Sequence, residues 1–325
     1  MELQKLLDYS PNDKLVTWAE MYGLISPIHF DWKPWLPVGF LTILASASGE
    51  GKSALALRIG GTFIKNLPWP DKIPYKRDPG LVLWCEAESA QALNLSRAKD
   101  WGYPMDRLIT PFNEPFIDLC LEDSDHQKII LEKAAHPDIR LIVVDSLSGS
   151  NRKRESTDEI KSIAMWLAQM ARDTNKPVLV THHLRKQGMG DGDTITLDRV
   201  RGSSTIVQFA RVIWALDAPD PRTPEVKRLS VIKNNLARFP QPIGMVIDDA
   251  GVTFTDAPSK PRDETQLDRA CDLLQALLAD GPQKTTMIQS ECTNAGISWR
   301  TVCDAKKKLS IRADKESDGW YWGLP

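Results

Sequence analysis

Residues 46–53, Ser-Ala-Ser-Gly-Glu-Gly-Lys-Ser, lie between an apolar run, residues 40–45, and an alanine-rich amphipathic stretch, residues 54–64. Small residues at such a junction let the chain curl until successive backbone N–H groups and the start of the next helix face one point, a cradle for phosphate. Strand, loop and helix in that order are the context a P-loop requires, so the chain is expected to bind a nucleoside triphosphate. Lys52 would reach the β and γ oxygens, the Ser53 hydroxyl would ligate Mg2+, and Ser48, Gly49, Glu50, Gly51 and Ala54 complete the loop around ATP. Ser46 stands where the usual pattern has Gly, so the flanking elements carry the assignment.

With 325 residues, 42% hydrophobic and 26% charged, the chain has enough apolar side chains for one large core and a small satellite domain. A formal net charge of -2 excludes a global basic field, so any DNA contact has to come from local patches. Five cysteines, with no CxxC pair among them, argue against a disulfide framework or a zinc site. The chain shows no signal pattern at its start and no apolar run near the ~18 residues that span a bilayer, so a cytoplasmic protein without membrane contact is expected.

Hydrophobic patterning then gives the organisation. Residues 1–36, with Trp18, Trp32 and Trp35, read as a preamble whose aromatics pad the core edge or touch the adenine. The apolar runs 81–85, 141–144 and 178–181 read as buried strands. Between the last two, Ile160, Ile163, Ala164, Leu167 and Ala171 fall at helical spacing. This βαβ rhythm predicts an α/β fold, a mostly parallel sheet with helices on both faces. Runs at 212–216, 229–232, 243–247 and 252–255, joined by turns, predict an antiparallel extension. The Pro-containing stretch 257–263 is read as a linker between a core domain, 37–256, and a small domain, 264–325.

A P-loop also needs a carboxylate at a strand end to hold the hydrated metal, and Asp145 follows the apolar run 141–144, with Ser146 alongside. Hydrolysis further requires a group to orient or deprotonate water. Glu86 and Glu88 follow the run 81–85, and their spacing of two leaves both open.

The ordered set of P-loop, strand ending in Glu, strand ending in Asp, strand ending in His-His-Leu-Arg-Lys (182–186), then Arg-Gly-Ser-Ser (201–204) and Ile-Lys-Asn-Asn (232–235), resembles the RecA-like ATPases. Most similar are the RepA-type hexameric helicases of plasmids and phages, and more distantly the DnaB-type replicative helicases, over about residues 31–256. The resemblance implies that Glu88 is the catalytic glutamate and that His183 senses the γ-phosphate. It also implies a homo-oligomer, a ring hexamer, in which a cation from the adjacent subunit completes each site. The family carries Lys-x-Arg there; Lys233 matches, Asn235 occupies the arginine position, and Arg238 or Arg201 are the substitutes. In the family, loops after two of the strands line the pore and track single-stranded nucleic acid, which implies contacts from Arg152, Lys153 and Arg154 and from Arg185 and Lys186.

Residues 264–325 read as three short helices and a hairpin and resemble a winged helix-turn-helix domain, with Ser298 capping the third helix and Arg300, Lys306, Lys307 and Lys308 largely outward. About as many acids as bases in this module keep protein contacts open beside DNA. The expectation is a Mg2+-dependent ATPase that oligomerises and acts as a DNA helicase or single-stranded DNA motor in replication of a mobile element. The alternative is an ATPase switch that loads or regulates another replication protein.

Overall fold

The computed structural model describes residues 16–25, 27–88, 90–114, 117, 119–147, 157–185, 195–200, 203–220, 222–258 and 266–325. The chain divides into two compact units, Met1–Ser259 and Lys260–Pro325. In the first, α1 (Trp18–Leu24), β1 (Phe30–Trp32) and β2 (Leu36–Pro37) precede β3 (Leu41–Ser46), α2 (Lys52–Lys65), β4 (Leu81–Glu86) and α3 (Gln91–Asp100). There follow β5 (Leu108–Ile109), α4 (Ser124–Ala134), β6 (Ile139–Asp145), α5 (Thr157–Thr174), β7 (Val178–His183) and α6 (Ser203–Phe209). The unit ends with β8 (Val212–Asp217), β9 (Val226–Asn234), β10 (Ile243–Asp248) and β11 (Gly251–Asp256).

Among the described residues β1 and β2 pair with each other, and the other strands build one sheet in the order β11-β10-β9-β8-β3-β7-β6-β4-β5. Strands β8, β3, β7, β6, β4 and β5 run parallel, and β9, β10 and β11 extend the sheet antiparallel. The central strand β3 is buried along its whole length because both faces are covered. Leu41, Ile43 and Ala45 join a core with Ile163 and Leu167 of α5 and Ile206 of α6, while Leu44 joins another with Leu55, Ile59 and Phe63 of α2. Burial on both faces explains why the parallel strands read as continuous apolar runs.

Trp32 and Trp35 stack at 4.7 Å within the α2-side core, and Trp214 of β8 donates from Nε1 to Trp35 O at 3.1 Å. The aromatics that flank β1 and β2 therefore pad the core, whereas Trp18 on α1 is 93% exposed.

The second unit holds α7 (Gln266–Leu278), β12 (Gln283–Lys284), α8 (Thr285–Asn294), α9 (Trp299–Lys308), β13 (Arg312–Glu316) and β14 (Gly319–Gly323), with the sheet order β12-β14-β13. Its own core gathers Leu274 and Leu278 of α7, Ile288 and Cys292 of α8, Val302 and Ala305 of α9, and Trp322 of β14. Ser298 caps α9 by accepting from Thr301 N. Among the described residues no helix is long and apolar enough to cross a membrane.

Candidate active site

Strand register alone brings four chain segments together at the C-terminal edge of the parallel strands. Ser46 of β3 pairs with His183 of β7, and Glu86 of β4 pairs with Asp145 of β6. The loop from Ser46 into α2 turns through Gly49 (φ 80°) and Gly51 (φ 91°), left-handed conformations that favour residues without a Cβ. The unpaired N–H groups of the first turn of α2 open toward this edge.

Lys52 is buried, and its ammonium donates to Ala47 O at 3.1 Å and lies 3.4 Å from His183 Nδ1. The other ring nitrogen, Nε2, is 2.9 Å from Glu88 Oε1. A neutral imidazole carrying its proton on Nε2 satisfies both contacts, accepting from Lys52 and donating to Glu88. Ser146 Oγ donates to the same oxygen, Oε1. Glu88 Oε2 has no partner among the described residues.

Charge follows from these contacts. The hydrogen bond from His183, with help from Ser146 and the Lys52 charge, holds the Glu88 carboxyl down at about 2 against the opposing effect of burial. Burial lowers the Lys52 ammonium, while Glu88, Asp145 and Glu50 raise it. Asp145 is 1% exposed, and burial pushes its carboxyl up although the hydroxyls of Thr181 and Ser53 stabilise the ion. Thr181 Oγ1 donates to Asp145 Oδ1 at 2.6 Å, and Oδ2 is buried with no hydrogen-bond partner. An orphaned, buried carboxylate oxygen beside a serine hydroxyl fits a hard divalent cation, the Mg2+ expected at a P-loop.

Spacing leaves Glu86 and Glu88 as equals; their surroundings differ. Both Glu86 oxygens are occupied: Oε1 accepts from Glu88 N at 3.1 Å and Ala90 N at 3.4 Å, and Oε2 from Trp84 Nε1 at 3.3 Å and Asn94 Nδ2 at 2.8 Å. Glu86 thus pins the backbone that carries Glu88.

Other predicted residues lie elsewhere. Asn234, at the end of β9, pairs with Val212, the first residue of β8, whereas Ser46 pairs with Leu216 near the far end of that strand. Four strand residues, roughly 13 Å, therefore separate Asn234 from the level of the P-loop. The Lys233 ammonium, one residue earlier, donates to Val207 O and to Ala210 O (2.8 Å), so it caps the end of α6 within its own chain. Arg238, beyond it, is exposed. Arg185 pairs with Asp198 at 3.2 Å. Lys306, expected to point outward, instead lies 4.3 Å over the Trp322 ring, where the indole face attracts its charge. Lys308 pairs with Asp268 at 2.9 Å, and Lys307 is exposed. Arg152, Lys153, Arg154, Lys186 and Arg201 lie outside the described residues.

Sequence reading missed Lys227. On β9 it shares the buried face with Leu229 and Val231, and its ammonium meets Glu50 of the P-loop at 2.6 Å. The available signal was a lysine in phase with the apolar residues of an alternating strand.

Comparison with known proteins agrees with this architecture. A family model described as AAA domain matches residues 13–189, more than half of the chain. Among solved structures, one ATPase domain is similar at 15% identity and TM-score 0.50, covering 66% of this chain and 84% of that one. A KaiC-like protein, PH0186 from the hyperthermophilic archaeon Pyrococcus horikoshii OT3, is similar at 12% identity and TM-score 0.51, covering 67% and 90%. No curated protein matches. With a P-loop at the end of the central strand of a mostly parallel sheet, and a family match across that region, the chain belongs to the AAA-domain family and is a P-loop ATPase of RecA-like fold.

Proposed function

We propose that this protein hydrolyses ATP with Mg2+, works as a homo-oligomer in the form of a ring hexamer, and acts as a DNA helicase or single-stranded DNA motor in replication of a plasmid, phage or other mobile element. The observation that carries the hydrolytic reading is the chain from Lys52 through His183 to Glu88, which Ser146 also holds, beside the orphaned Asp145 oxygen.

In this reading the loop N–H groups and Lys52 hold the phosphates, and Ser53 and Asp145 hold the metal. When bound, Mg2+ withdraws charge from the β- and γ-phosphate oxygens. Glu88 Oε1 is held by Ser146 and His183, so Oε2 is the atom left to orient a water and take its proton. A carboxyl held near 2 is a weak base. His183 has a single N–H on Nε2, which serves either Glu88 or a phosphate oxygen. A γ-phosphate that draws this donor away raises the proton affinity of Glu88 as substrate arrives, which joins sensing to activation.

A site shared between subunits is supported by the strand direction of β9, which carries Lys233 and Arg238 away from their own P-loop. Lys233 is already engaged in its own chain, so Arg238 is the preferred trans-acting cation. For the second unit, the α8–α9 pair with the β13–β14 hairpin supports a winged-helix reading. The internal engagement of Lys306 and Lys308 favours the alternative for this module, a protein-contacting winged helix on an ATPase switch that loads or regulates replication proteins. Strand displacement on a forked duplex, with ATP turnover followed with and without single-stranded DNA, separates the two. Unwinding coupled to hydrolysis supports the motor; DNA-independent turnover without unwinding supports the switch.

A further inference from the structure

A carboxylate within a phosphate-binding loop is electrostatically awkward, because the ligand it would face is a polyanion. Glu50 sits between the two left-handed glycines of the P-loop, and its charge reaches Lys52. Its side chain is bound by Lys227, whose Nζ lies 2.6 Å from Glu50 Oε2; the two side chains are 11% and 25% exposed.

Lys227 comes from the antiparallel extension, where it faces Met245 of β10 across the β9–β10 ladder. Two residues beyond Met245 on the same strand face, Ile247 packs over the next P-loop residue: a Cβ on Gly51 would meet Ile247 Cδ1 at 2.2 Å. Two successive residues of the loop, Glu50 and Gly51, are thus held from the same two strands, one by charge and one by van der Waals contact.

We propose that Lys227 is a positioning residue of the phosphate site: it holds the Glu50 carboxylate against β9, out of the phosphate cradle, and cancels its charge so that the loop accepts a triphosphate. This rests on the reading that the loop binds ATP. Lys227 acts through Glu50 and does not itself bind phosphate. Removing it frees an unpaired carboxylate beside the phosphates, and removing that carboxylate as well should cure the defect.

The test is a double-mutant cycle on full-length protein, titrating a fluorescent ATP analogue with Mg2+ in low and moderate salt. Lys227→Met should weaken binding about 10-fold, more in low salt, where repulsion is less screened. Lys227→Arg should restore most of it. Glu50→Gln alone should tighten binding by about 2- to 5-fold. In a Glu50→Gln background, Lys227→Met should cost less than about 2-fold. Turnover of Lys227→Met at saturating ATP should stay within about 3-fold of the parent, so the defect falls on KM and not on kcat. Thermal melts identify a variant that is merely unfolded, and the charge-removal rescue does not depend on them, since a lost brace would not be repaired by deleting its partner.

Unchanged affinity in Lys227→Met would overturn the proposal, as would an equal loss in both backgrounds, which would make Lys227 a direct phosphate ligand, or weakened binding in Glu50→Gln alone, which would make the pair a simple brace. If the parent binds no nucleotide and Lys52→Ala changes nothing, the ATP-binding reading has failed and this proposal falls with it, a pattern unlike any of the others.

Discussion

The two carboxylates of the site are perturbed in opposite directions, and each has its own consequence for stability. Glu88 is depressed to about 2 from an ordinary 4.5, chiefly by His183. Its contribution to stability is therefore fully present above about pH 4.5 and is lost as pH falls toward 2. Replacing His183 with Leu should flatten the pH dependence of unfolding across that window, which acid denaturation followed by circular dichroism measures. Asp145 is raised by burial, so its neutral form suits the nucleotide-free fold and the stability it supplies is lost as pH rises through the raised value. Burying that carboxylate is then a cost that the fold carries for a cation. Asp145→Asn should raise the melting temperature of the nucleotide-free protein by a few degrees, on the order of that expected for 1–2 kcal/mol, while eliminating Mg2+-dependent hydrolysis. A lowered melting temperature in that variant would contradict the metal-site reading.

At the scale of elements, the entry to α2 is the most constrained point. Gly51 combines a left-handed φ of 91° with Ile247 packed where a Cβ would project. Gly51→Ala should destabilise the protein by about 1–3 kcal/mol and weaken ATP binding at least about 10-fold, while Ile247→Ala in the same chain should recover part of the stability by making room. Chemical denaturation of the single and double variants checks this. The elements themselves were legible to different degrees, for physical reasons. The strands β3, β4, β6 and β7 stand out because burial on both faces forces continuous apolar runs, and their ends fall within two residues of the runs in the sequence. The strands β1 and β2 carry no such signal, since two or three residues have no period, although Trp32 in β1 and Trp35 just before β2 are buried in the core. The helices α3 and α4 were equally silent, with only Asn94 and Ala98 buried in the first and Ile130 and Ala134 in the second. In the site, motif order brought out Lys52, Asp145 and Glu88. Spacing left Glu86 and Glu88 open and the family resemblance pointed to Glu88; their different hydrogen bonds, which spacing cannot encode, support that choice, and the Lys227 partnership joins residues 177 positions apart.

For the whole molecule, the proposed function calls for more than one subunit per working site. The loop that carries Arg238 lies at the sheet edge away from the P-loop, and the Lys233 ammonium is held by carbonyls of its own chain. A mixture of two inactive proteins, Lys52→Ala and Arg238→Ala, should therefore recover part of the ATPase activity once subunits exchange, because one kind of interface joins an intact pocket to an intact arginine. Exchange without recovery, with exchange itself followed by energy transfer between labelled subunits, would remove the shared site. Lys233→Ala should then act mainly on stability, through the loss of the α6 cap.

In the proposed mechanism Glu88 handles the attacking water while Glu86 holds the loop that carries it. This division of roles is tested most directly by single-turnover ATP hydrolysis and ATP affinity measured side by side for Glu88→Gln and Glu86→Gln. Glu88→Gln should bind ATP within a few-fold of the parent and hydrolyse it at least ~100-fold more slowly, whereas Glu86→Gln, whose amide oxygen still accepts from the loop N–H groups, should lose on the order of 10-fold or less. Parent-like hydrolysis by Glu88→Gln, together with a large loss in Glu86→Gln, would contradict it.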